Sequence, residues 1–144
     1  RPILFKIAPD MSEKTAISLC ACAVENGASG VVINNTSVDY ALTKNARNFG
    51  GISGELIKEK SRVLFKSVAR ELFGQTILIS CGGISDANEA YERVKFGANL
   101  VEIFTSFIFK GPMIARDINL EILELLKRDG FASISEAVGA NVKK

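Results

Sequence analysis

The sequence predicts an α/β protein: four successive strand–helix units around a parallel sheet with right-handed crossovers. Three observations carry this. Short apolar runs alternate with stretches of helical spacing, and no hairpin signal lies between the runs. The chain also opens within a couple of residues of an apolar strand and has no initiator Met. Four such units fit either a small open sheet or half of an eight-unit barrel, and the abrupt start favours the half barrel. No linker composition, low complexity or close repeat divides the chain, so residues 1–144 are read as one domain.

The first strand is Ile3 to Ile7, a nearly continuous apolar run of the kind expected when both faces are buried. Pro9-Asp10 ends it. Ser12 can cap a helix to about Glu25, with Ala16, Cys20, Ala23 and Val24 on one face and Gly27 as its stop. Gly30 to Asn34 is the second strand. A polar stretch, Thr36 to Ser53, then leads into a helix from about Glu55 to Phe73, with Leu64, Val68 and Leu72 in register. Thr76 to Cys81 is the third strand, Gly82-Gly83 its turn, and Asp86 the cap of a helix ending near Phe96-Gly97. Asn99 to Phe104 is the fourth strand. Pro112 opens a long helix striped by Ile114, Ile118, Ile122 and Leu125; Gly130 stops it, and Ser133 or Ser135 starts a short last helix.

Composition narrows the function. Hydrophobic residues at 47% and charged residues at 24% describe a folded chain rather than a disordered one. Eighteen Lys and Arg against sixteen Asp and Glu leave +2, too weak and too evenly spread for a nucleic-acid footprint. No apolar run approaches the roughly 20 residues of a membrane span. With no histidine, Ser-His-Asp hydrolysis, Cys-His proteolysis and His-ligated metal sites are excluded, and no metal site is expected. Three cysteines argue against a disulfide framework; Cys20 and Cys22 read as small buried hydrophobes.

In parallel α/β proteins functional groups gather at the C-terminal ends of the strands. At the first end Lys6 stands in an otherwise apolar run, costly unless its ammonium meets an anion or an open site; the bland alternative is a lysine snorkelling to the sheet edge. The second end, Asn34-Asn35-Thr36-Ser37, offers uncharged donors and acceptors suited to a planar heterocycle, or to ordinary turn chemistry. The connection that follows is far longer than the usual two to six residues, a length typical of functional lids. It closes on Gly-Gly-Ile-Ser-Gly, whose glycines allow close backbone approach. Cys81-Gly82-Gly83-Ile84-Ser85, between strand and helix, can expose amides to a phosphate. Phe104-Thr105-Ser106 forms the turn after the last strand. In the last two units of an eight-fold barrel these two turns lie side by side, where such barrels commonly bind phosphate.

Lys-Ile-Ala-Pro-Asp, Asn-Asn-Thr-Ser, Gly-Gly-Ile-Ser-Gly, Cys-Gly-Gly-Ile-Ser and Phe-Thr-Ser-Phe-Ile-Phe-Lys-Gly-Pro follow one another in this order. Together they resemble the C-terminal half of the membrane-associated, quinone-linked class of dihydroorotate dehydrogenase, over essentially the whole chain. The resemblance implies the C-terminal half of a TIM (β/α)8 barrel. It further implies FMN as cofactor and oxidation of dihydroorotate to orotate in pyrimidine biosynthesis. By resemblance, Lys6 and Asn34 contact the flavin, Gly54 lies beside it, and Gly82, Gly83, Phe104 and Thr105 make phosphate and ribityl contacts. Asn35 and Thr36 match the pair that hydrogen-bonds orotate.

The family usually has threonine at Asn34 and tyrosine at Phe104. Its catalytic base, a serine, lies in the N-terminal half, as do the helices that reach the membrane and guide quinone. Ser37 and Ser53 do not match that base, so no catalytic residue is assigned here and the chain alone is expected to be inactive. The implied partners are dihydroorotate or orotate, quinone through the N-terminal region, and the N-terminal half-barrel, with no nucleic acid. The implied location is the periphery of the bacterial inner membrane, on its cytoplasmic side, or of the mitochondrial inner membrane. Rival readings are another phosphate-binding barrel, such as a different FMN oxidoreductase or a sugar-phosphate isomerase, and a truncated, non-catalytic remnant. The absence of paired carboxylates or histidine at the strand ends disfavours the isomerase.

Overall fold

Four short parallel strands, β1 (Leu4–Ile7), β2 (Gly30–Ile33), β3 (Ile77–Cys81) and β4 (Leu100–Glu102), lie side by side in chain order. The structure is a computed structural model describing residues 1–45, 47 and 49–142. The strands are linked by α1 (Glu13–Glu25), α2 (Lys58–Leu72) and α3 (Ala87–Lys95); α4 (Thr105–Lys110), α5 (Ile114–Asp129) and α6 (Ile134–Ala137) follow β4. The caps act as the sequence requires. Ser12 Oγ accepts the Thr15 amide at 3.1 Å, the Asp86 carboxylate accepts the Glu89 amide at 2.8 Å, and Gly130 closes α5 with a left-handed φ of +80°.

All helices that cover the sheet lie on one face. Ile7, Val31, Ile33 and Leu78 point to that side and pack with Ala16 and Cys20 of α1 and Leu64, Phe65 and Val68 of α2. A second cluster joins Ala90, Tyr91 and Val94 of α3 to Ile114, Ile118, Ile122 and Leu126 of α5. The stripe of α5 is thus completed by Leu126 rather than Leu125, which is half-buried.

The other face is open. Leu4, Ile77 and Leu100 on it are 49%, 46% and 59% exposed. The expectation that the first strand is buried on both faces is therefore corrected: β1 is an edge strand with helices on one side only, so Phe5 and Ile7 turn inward while Leu4 and Lys6 do not. Three further readings change. Cys22 is exposed, since α1 turns only Ala16 and Cys20 fully into the core. The helix expected from Glu55 begins as a 3-10 turn, Gly54–Ile57, entered through Gly54 at a φ of +74°, and is α-helical only from Lys58. Thr105-Ser106, expected as a turn, is the first turn of α4.

The expected loop, Thr36 to Ser53, includes residues 46 and 48, which lie outside the described residues. Its base is pinned by an antiparallel bridge, Ser37 N–H to Ile52 O at 2.9 Å and Ile52 N–H to Ser37 O at 2.7 Å. Asp10 anchors it to the first strand end, accepting from Ser37 Oγ at 2.6 Å, from the Val38 amide at 2.7 Å and from Lys60 Nζ at 2.6 Å. Burial pushes the Asp10 carboxyl up, but those three donors outweigh it and hold it below its ordinary value.

Candidate functional site

The C-terminal ends of all four strands open on one cavity of about 1000 Å³. Parallel pairing in register brings these ends level, so residues far apart in sequence meet there. Lys6, Asn34, Asn35, Thr36, Gly54, Gly82, Gly83, Phe104 and Thr105 all line it. The turn after β3 and the start of α4 are neighbours, joined by Ser106 Oγ to Ile84 O at 2.8 Å and Lys110 Nζ to Ser85 O at 2.7 Å. Gly54 faces Thr105 so closely that a Cβ there would lie 2.8 Å from the Thr105 methyl carbon, and Thr105 Oγ1 meets Ser53 Oγ at 2.8 Å.

Lys6 is not a free cation. Its Nζ lies 3.2 Å from Glu102 Oε2, across the open face of the sheet, from one edge strand to the other. That reach over two intervening strands requires a strongly curved sheet, concave on the cavity side. Cys81 sits beside this pair, and burial pushes its thiol up, with Lys6 partly opposing. Glu102 escaped sequence reasoning; the signal was its place two residues before Phe104, on the same strand face as Leu100.

Asn34 is 1% exposed. Its Nδ2 donates to Asn35 O at 2.6 Å, its buried Oδ1 has no partner among the described residues, and the residue lines the cavity. Asn35 Oδ1 accepts the Thr36 amide at 2.9 Å, and the exposed Thr36 side chain lies against Gly51. Phe104 is 75% exposed, its ring at the rim.

Beneath the Gly82-Gly83 turn lies a polar network that the sequence did not reveal. Arg93, fully buried, donates from Nε to Glu89 at 2.7 Å, from Nη1 to Ser61 Oγ at 3.1 Å and Ser80 Oγ at 3.0 Å, and from Nη2 to Lys58 O at 3.2 Å and Gly82 O at 3.4 Å. Ser61 Oγ donates in turn to Cys81 O at 2.7 Å. Arg62 also pairs with Glu89. Burial drives the Glu89 carboxyl up, but the two guanidinium groups hold it below its ordinary value. Among the described residues no group of His, Cys, Asp and Glu is placed to hold a metal ion, and no helix is long and apolar enough to cross a membrane.

The family model for dihydroorotate dehydrogenase matches residues 1–126. The chain belongs to that family. Over 142 residues it is 56% identical to the dihydroorotate dehydrogenase (quinone) of a Nitratiruptor species, covering 99% of this chain and 40% of the relative. The mitochondrial dihydroorotate dehydrogenase (quinone) of Oryza sativa subsp. japonica is 37% identical over 99% of this chain and 31% of its own length. Among solved structures, ligand-free DHODH from Eimeria tenella superposes with a TM-score of 0.89 at 30% identity, covering 100% of this chain and 41% of that one. The same enzyme in complex with ferulenol gives a TM-score of 0.86. The chain thus spans 40% of the length of the Nitratiruptor relative and 41% of the Eimeria one, corresponds to their C-terminal part, and its four units form part of a barrel.

Proposed function

We propose that this chain supplies the cofactor-phosphate side and part of the substrate side of a quinone-linked dihydroorotate dehydrogenase, with FMN as cofactor. The observation that carries this reading is the convergence of Lys6, Asn34, Gly54, Gly83, Thr105 and the Asn35-Thr36 pair on one cavity at the strand ends. The donor set fits a flavin mononucleotide. Asn34 lines the cavity and carries a buried, orphaned Oδ1, and the imide N–H of a flavin ring is a donor of the kind that acceptor lacks. The Gly82-Gly83 turn, with φ of +105° and +73°, and the start of α4 offer backbone approach for a phosphate.

Held at Gly82, Gly83 and Thr105, FMN would supply the hydride acceptor for dihydroorotate and the electron donor for quinone. Gly83 lets the turn pack against Lys58, whose backbone a Cβ would overlap, and Gly54 keeps the space beside Thr105 clear. Lys6 brings positive charge to the flavin and so favours the reduced, anionic ring. Asn35 and Thr36 bind the substrate by uncharged hydrogen bonds. The proton acceptor is a serine supplied from outside these residues. The whole protein works at the periphery of a quinone-bearing membrane, in pyrimidine biosynthesis.

Gly83→Val in the polypeptide that carries this chain tests the assignment. A Cβ at Gly83 would overlap the Lys58 backbone, and the turn would shift or close. Flavin absorbance should be lost on gel filtration while folding, read by circular dichroism, persists; full retention of flavin would refute the phosphate site.

A further inference from the structure

We infer that Arg93 is a positioning residue for the phosphate cradle, aiming the Gly83 amide into the cavity from behind. The inference rests on the reading above that a cofactor phosphate sits at this turn.

An arginine with no exposed surface is rarely tolerated unless paired, and Arg93 shares its one buried carboxylate, Glu89, with Arg62. A brace between helices would need only Glu89 and the serines. Arg93 does more: Nη2 donates to two backbone carbonyls, Lys58 O at the first turn of α2 and Gly82 O in the turn itself. The Gly82 carbonyl belongs to the same planar peptide as the Gly83 N–H, and in a trans peptide these two point in opposite directions. A donor that holds Gly82 O from the core side therefore turns the Gly83 N–H to the other side, where the cavity lies. Ser61 Oγ grips the preceding peptide in the same way, through Cys81 O, and Arg93 holds Ser61.

The arrangement answers a specific weakness of the turn. Two glycines at positive φ allow close approach of a ligand, but nothing in their own structure fixes them. The planar guanidinium, with its five donors in a rigid fork, supplies that fixity where a lysine could satisfy only part of the set.

The test compares FMN with riboflavin, which has the same ring and no phosphate, by fluorescence titration of the cofactor-free form of the whole polypeptide. Arg93→Met should weaken FMN about tenfold or more and leave riboflavin within about twofold. Arg93→Lys, which keeps the charge, should recover part of the loss and remain roughly threefold weaker than the parent for FMN. If Arg93→Met does not fold, the Arg93→Lys pair of titrations decides alone. Equal loss of FMN and riboflavin, or no loss of FMN, overturns the inference. A parent that fails to prefer FMN over riboflavin removes the phosphate site itself and the inference with it; a parent that does prefer it, with variants whose preference is undiminished, rejects only the role of Arg93.

Discussion

Glu89→Gln is the sharpest probe of how the site is held. The Glu89 side chain is 4% exposed and that of Arg93 is not exposed at all, so the pair has no water to fall back on. Glutamine keeps the shape and one acceptor oxygen, yet it removes the carboxylate paired with Arg93 and one of the two paired with Arg62, and turns an NH₂ toward a guanidinium. Breaking a buried pair typically costs 3–5 kcal/mol, and the retained acceptor places this variant near the lower end, about 3 kcal/mol. Against a typical domain stability of roughly 5–15 kcal/mol that is a large fraction. Glu102→Gln is the internal control, because Lys6 and Glu102 side chains are 40% and 42% exposed and such a pair is worth about 1 kcal/mol at most. Urea unfolding of the cofactor-free polypeptide measures both, since bound cofactor would add its own stabilisation. The pH dependence has a definite sign. The folded Glu89 carboxyl sits below its ordinary value of 4.5, so its contribution is complete above that pH and is lost as pH falls through the folded value. The gap between parent and variant should therefore narrow on acidification below about pH 4.5. A loss no larger than that of Glu102→Gln, or a gap indifferent to acid, would refute the reading of this network as a buried, charge-compensated support.

Other consequences are simpler. Lys6→Met keeps most of the apolar stem and removes the charge, so flavin reduction by dihydroorotate should slow in stopped flow and the flavin potential should fall; a rate equal to the parent's would leave Lys6 as a snorkelling edge residue. Asp10→Asn removes the charge that Lys60, Ser37 and the Val38 amide converge on, so the loop that follows β2 should become more susceptible to limited proteolysis, with a stability loss of about 1–2 kcal/mol. The isolated 144-residue chain, with Leu4, Ile77 and Leu100 open on the concave face and both sheet edges unpaired, should associate or aggregate at micromolar concentration. Light scattering that finds a stable monomer with cooperative unfolding would contradict this.

The strand order and the edge positions were legible because each strand carries its own apolar signature and each crossover has a helix of sufficient length. The cavity residues were legible for a related reason: in a parallel sheet the position of a residue just after its strand already says that it faces the functional end, and Lys6, Asn34-Asn35-Thr36, Gly82-Gly83 and Thr105 all stand there. What the sequence hid depends on long-range partners. Glu102 reads as one more charge in a short strand until curvature brings β1 opposite β4. Arg93 and Glu89 have ordinary i, i+4 spacing on an amphipathic helix, which in a sequence means a solvated pair; only the packing of α3 against α2 shows that both are buried. The burial of β1 on both faces was misjudged because an apolar run reports what a strand needs covered, not whether these 144 residues cover it.

Lys6, which lines the cavity, and Arg93, which lies buried behind the Gly82-Gly83 turn, differ in a way that bears on the proposed chemistry. Lys6 stands in a half-exposed ion pair whose loss costs little, so on the proposed reading its ammonium would leave Glu102 for negative charge at a bound flavin with a small penalty. Arg93 has every donor committed inside the core and no route to move. A charge that must respond to a change in redox state belongs on the mobile lysine; a phosphate, whose charge is constant through the reaction, is best met by amides fixed in place beforehand. The fold separates these tasks by strand. β1 carries the responsive charge at one edge of the sheet, and the β3 turn, braced from α3, carries the permanent one, so the affinity for the cofactor can be set at one end of the cavity without altering the electrostatics at the other.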